Sequence, residues 1–143
     1  IEAGRRVTAS GMKLSMMIIL GLAGAEGSER HALATAKAIN IIKPTHLSAL
    51  CLMLYRGSEL LEQYEAGKFN PLSPAGLMRE LKLIIENIDL PADRHCLFRS
   101  NHVSNYVQLA ATLPHDKQRL LRDIDYSVAQ LSKLKSWDVY NYN

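Results

Sequence analysis

Lys13-Leu14-Ser15-Met16-Met17-Ile18-Ile19-Leu20, followed by Gly21-Leu22-Ala23-Gly24-Ala25-Glu26-Gly27, is the stretch that decides the fold. The first eight residues form a short apolar run with two adjacent β-branched side chains, the length and character of a strand buried on both faces. The glycine-rich stretch after it reads as a loop, with Ser28 as the cap of the next helix. From Glu29 to Ile42 apolar residues return at Leu33, Ala36, Ile39 and Ile42 or one position away, the spacing of a helix buried along one face, and Pro44 ends it.

The pattern then repeats. Thr45 to Leu54 (THLSALCLML) is a second strand, again apolar on both faces. Ser58 caps a short helix from Glu59 to Ala66 that Gly67 stops. Ser73-Pro74 opens another, with the cap at Ser73 and proline in the first turn, and Leu77, Leu81, Ile84, Ile85 and Ile88 mark its buried stripe. Cys96-Leu97-Phe98 is a third, shorter strand, and Ser104 to Pro114 is ambiguous. Pro114-His115-Asp116 opens a last helix striped by Leu120, Leu121, Ile124, Val128, Leu131 and Leu134. The tail from Trp137 to Asn143 reads either as a packed cap or as disordered.

Three strand–helix repeats point to the α/β class with parallel units, and strands apolar on both faces suit a sheet covered by helices or closed into a barrel. Three strands are too few to close one. Ile1 to Val7 reads as the last turns of a helix that Ser10-Gly11 stops, so the chain is expected to be truncated at its N-terminus.

Composition excludes several classes. Lys and Arg give a net charge of +3 but are scattered, as at Arg5, Arg6, Arg119, Arg122, Lys133 and Lys135, which reads as solvated surface and predicts no nucleic-acid partner. No apolar run approaches a membrane span and no signal peptide is evident, so no membrane partner and a cytoplasmic location are expected. Cys51 and Cys96 lack a C-x-x-C partner and read as buried thiols. Neither a phosphate-cradling glycine motif nor a G-x-S-x-G elbow is present. His95, Cys96 and His102 lie close in sequence, but adjacent strand residues point to opposite faces, so no metal site is expected of them.

The segment from Met16 to Glu26 resembles the fifth-strand motif of the radical S-adenosylmethionine (SAM) family, which ends in a Gly-hydrophobic-Pro-Gly loop. Gly21, Leu22 and Gly24 match, and Ala23 stands where the proline is usual. Ile1 to Gly11 is similar to the helix before that strand. Leu52 to Leu60 resembles the sixth strand and its loop, and Phe98 to Tyr106 a feature of one radical SAM subgroup with a shared C-terminal extension.

The resemblance implies a partial TIM-like (β/α) barrel, with residues 1–94 its C-terminal βα units and residues 95–143 an extension of short strand, polar loop and helix. It also implies SAM as cofactor, with Ile19, Gly21, Leu22, Met53, Leu54 and Tyr55 at the adenine. The parent's reaction would be reductive cleavage of SAM to a 5′-deoxyadenosyl radical that abstracts hydrogen from a substrate of unknown identity. The family holds its [4Fe–4S] cluster with a Cys-x-x-x-Cys-x-x-Cys motif that this chain lacks, so the piece alone is expected to be inactive, with no catalytic residue assigned. Ser100, Asn101, His102 and Asn105, which follow a strand end, are the candidate substrate contacts; the alternative is a polar turn and helix cap. His102 is either an acid–base group or structural. A Gly-x-x-Gly loop also occurs wherever a strand turns tightly into a helix. A noncatalytic assembly module is the competing function. An unpaired strand edge left by truncation predicts a homodimer.

Overall fold

The computed structural model describes residues 1–133, so Leu134 and the Trp137–Asn143 tail lie outside the described residues. Strands β1 (Ser15–Leu20), β2 (His46–Cys51), β3 (Cys96–Arg99) and β4 (Ala110–Leu113) form one open sheet in the order β1-β2-β3-β4. β1 to β3 are parallel and β4 is antiparallel to β3. The helices are α1 (Glu2–Ala9), α2 (Gly24–Ile42), α3 (Glu59–Glu65), α4 (Pro74–Glu86) and α5 (Lys117–Leu131). This is a mixed α/β sheet, with α2 packed on α4 and α4 on α5.

The core lies between those helices and one face of the sheet. Ile18, Leu20, Leu47, Ala49, Phe98, Ala111 and Leu113 point into it and meet Ala32, Ala36, Ile39, Leu81, Ile84, Ile85, Leu120 and Ile124. β3, β4 and α5 share this core with the elements before residue 95, so a single hydrophobic cluster spans both parts of the chain.

Among the described residues, helices cover only one face of the sheet. On the other face Met17 is 71% exposed and Ile19 42%. A largely apolar strand therefore carries two different surfaces here, one packed on helices and one open.

Local signals placed most elements. Ser73 Oγ accepts from Gly76 N–H at 3.1 Å with Pro74 in the first turn, and Ser58 caps α3 through Leu61 N–H. Two readings, the start of α2 and the strand pattern, are corrected by tertiary contacts. α2 begins at Gly24 rather than after Ser28, because Ala25 N–H donates to the carbonyl of Asn70 at 2.8 Å and a distant loop does the capping. Its buried stripe runs as expected through Ala36, Ile39 and Ile42, with Ala32, one position before the 43% exposed Leu33, completing it. The ambiguous stretch after Ser104 contains β4, whose hairpin pairing with β3 makes a fourth strand and breaks the all-parallel pattern.

Candidate functional site

In parallel sheets the strand carboxyl ends carry the loops and leave backbone groups available, so ligands gather there. In this chain those ends are the turn after Leu20, the segment after Cys51 and the loop after Arg99.

Gly21 makes the first turn. Its φ is +81°, and a Cβ there would meet Leu77 Cδ2 at 2.7 Å, so both backbone geometry and packing demand glycine. Its N–H donates to Glu80 Oε1 at 2.7 Å and its carbonyl accepts from Gly24 N–H at 3.0 Å. Glu80 is 2% exposed, yet its carboxylate is well satisfied. Ser28 Oγ donates to Oε2 at 2.5 Å and His31 Nδ1 lies 3.1 Å from Oε1, which ties the β1–α2 turn to α4. Nothing in the sequence reading singled out Glu80. The signal was available: a carboxylate within the turn that carries Leu77, Leu81 and Ile84.

The loop between β3 and β4 is held down by its own polar residues. Ser100 is 2% exposed, its hydroxyl donating to the Val107 carbonyl at 3.0 Å and accepting from Leu109 N–H at 2.9 Å. Asn105 Nδ2 donates to the Ala49 carbonyl at 2.8 Å, while its buried Oδ1 has no partner. Cys51 N–H donates to Ser104 Oγ at 3.2 Å. These contacts pin the loop to the end of β2.

His102 is thereby aimed. Ser104 N–H donates to its Nδ1 at 3.1 Å, with Ser104 Oγ 2.8 Å away. A backbone N–H can only donate, so Nδ1 is an acceptor and the neutral ring carries its hydrogen on Nε2.

Two adjoining cavities open at this end of the bare face, sharing Leu50 and His102. One, of about 160 Å³, brings Ile19, Met53 and Tyr55 together with His102. The other, of about 260 Å³, is lined by Met17, Ser48, Arg99, Asn101 and His102 among others. Of the remaining sequence candidates, Leu54 is buried at 3% exposure and Gly21 is engaged in its turn. Leu22 faces a separate groove between β1 and α2. Ser100 and Asn105 shape the loop rather than line either cavity. Arg99 and Ser48 are among the lining residues that sequence reasoning missed; strand alternation, which sets Arg99 opposite the buried Phe98, could have found them.

The cysteines do not suit a cluster. Cys96 lies level with Thr45 in the β2–β3 register, so it sits roughly 20 Å along the strands from Cys51 at ~3.3 Å per residue. Burial pushes both thiols up to about 11, which keeps them protonated where an iron–sulfur ligand must be thiolate. His95 stacks on His115, ring centroids 5.2 Å apart. Among the described residues no group of three His, Cys, Asp or Glu side chains is placed to hold a metal ion, and no helix is long and apolar enough to cross a membrane. No family model matches the chain, and no curated protein matches it.

Proposed function

We propose that this chain is the C-terminal βα portion of a radical SAM enzyme, a partial barrel whose uncovered sheet face is the barrel interior. One observation carries the reading: β1 and β2 pair in parallel from Ser15↔His46 to Leu20↔Cys51, joined through α2. Adjacent strands of a (β/α) barrel pair in this way, with helices on the outer face alone.

At the carboxyl ends of these strands Ile19, Met53 and Tyr55 supply an apolar slot. The backbone N–H and C=O of Met53 make no hydrogen bond among the described residues, so they offer the polar edge an adenine requires. When bound, SAM with the parent's cluster would supply the radical chemistry for hydrogen abstraction. The residues of this chain bind and orient the nucleoside end and screen it with Tyr55. Its two distant, protonated thiols do not hold the cluster, so the piece alone is inactive. A cytoplasmic location goes with this reading, since both thiols are unpaired. Among the described residues the outer edge of β1 is unpaired, and there an earlier barrel strand, or in its absence a second copy, would add.

Adenosine titrated into the isotope-labelled chain is expected to shift the resonances of Ile19, Met53 and Tyr55 saturably, and Tyr55→Ala to weaken that binding. The reading frame upstream of Ile1 is expected to encode Cys-x-x-x-Cys-x-x-Cys. A frame without that motif, or adenosine shifts spread evenly over the surface, overturns the proposal.

A further inference from the structure

We infer that the open face carries an oxyanion-binding site, built by Ser48, Arg99, Asn101 and His102, which takes a small ligand bearing a carboxylate or phosphate group. Register brings the parts together. Met17 pairs with Ser48 and Ser48 with Arg99, so the three form one row across β1, β2 and β3 on the face without helices. The 260 Å³ cavity sits on this row.

Every polar group facing it can donate. Arg99 Nη1 is anchored on the carbonyl of Phe98 at 2.7 Å, with a longer contact to that of Ala111 at 3.4 Å. That anchorage fixes the guanidinium while leaving the N–H groups of Nε and Nη2 without a partner among the described residues. Such a fixed fork matches the two oxygens of a carboxylate or phosphate. The Ser48 hydroxyl and the Asn101 amide likewise have no partner there, and His102 presents Nε2–H because its Nδ1 accepts from Ser104.

The cavity lining contains no Asp or Glu, and neither does that of the adjoining slot. A guanidinium with no acidic neighbour creates a local positive potential that nothing in the site neutralises, so the complementary ligand is an anion. Met17 and Leu50 floor the cavity and would meet an apolar stem. The site stands on this chain's own residues. Calling its ligand the substrate of the parent reaction rests on the barrel reading, in which the neighbouring slot holds the nucleoside.

The test titrates the folded chain with inorganic phosphate and, separately, with propionate, each against chloride at equal ionic strength, following backbone and side-chain resonances. Saturable shifts centred on Ser48, Arg99 and His102 are expected with one or both anions; whichever binds more tightly names the source of the oxyanion. Arg99→Gln is expected to weaken binding about tenfold and Ser48→Ala about threefold, the charged contact being the stronger of the two. Because Arg99 also bonds two carbonyls, circular dichroism checks that its variant folds, and Ser48→Ala carries the test if it does not. Linear, unsaturated shifts with both anions, or unchanged affinity in the folded variants, overturn the inference. Adenosine binding is scored separately, so either reading can fail alone.

Discussion

Glu80→Ala removes the acceptor that three groups share, and its cost can be worked from the contacts. The Gly21 N–H lies in a buried turn and is left without a partner, which costs about 1–3 kcal/mol. Truncating the side chain also removes a packed methylene, worth about 0.8 kcal/mol. Ser28 and His31 are only partly buried and can turn to water, so their losses are smaller. The sum is about 3 kcal/mol. Glu80→Gln keeps an oxygen for Gly21 and His31 and asks only that the Ser28 hydroxyl turn to accept, so it costs about 1 kcal/mol. With a urea m-value of ~2 kcal/mol/M, the midpoints should fall by about 1.5 M for alanine and about 0.5 M for glutamine. Urea titrations followed by circular dichroism measure both. Equal midpoints for the two variants, or an alanine variant as stable as the parent chain, would show that Glu80 does not hold the β1–α2 turn.

Two other perturbations are sharp. Gly21→Ala forces a Cβ to 2.7 Å from Leu77 Cδ2 at a φ of +81°, so a loss of about 1–3 kcal/mol and a melting point lower by several degrees are expected; an unchanged thermal melt refutes the packing. Cys51 and Cys96 should label slowly with a thiol reagent in the native chain and together on unfolding, because both are buried. Their folded pKa of about 11 lies above the ordinary 9.0, so the unfolded chain loses these protons first. Stability is intact below pH 9.0 and declines as pH rises towards about 11. A Cys51→Ala, Cys96→Ala double variant should flatten that decline, and rapid labelling of the native chain refutes the burial.

What could be read from the sequence was what neighbouring residues decide among themselves. Ser73-Pro74 declares a helix start with no help from elsewhere, and the stripe from Leu77 to Ile85 follows from period alone. β4 is different: Ala110–Leu113 is four residues long, and its being a strand is settled by pairing with β3. The start of α2 depends on the Asn70 carbonyl and the role of Glu80 on a turn before α2. In these three cases the deciding partner is supplied by another element of the fold.

The candidate site divides along the same line. Ser100, Asn101, His102 and Asn105 look alike in sequence, all polar and all after a strand end. Folding separates them by which hydrogen bonds the hairpin needs. Ser100 closes the loop and Asn105 pins it to β2, so their donors are engaged. Asn101 and His102 lie beyond those fastenings and face the cavity. Arg99 joins them because alternation along β3 sends Phe98 into the core and its neighbour to the bare face. A polar loop thus becomes a binding surface only where the fold leaves donors over, and on this sheet the donors left over converge around Arg99, which faces no acidic side chain in the cavity.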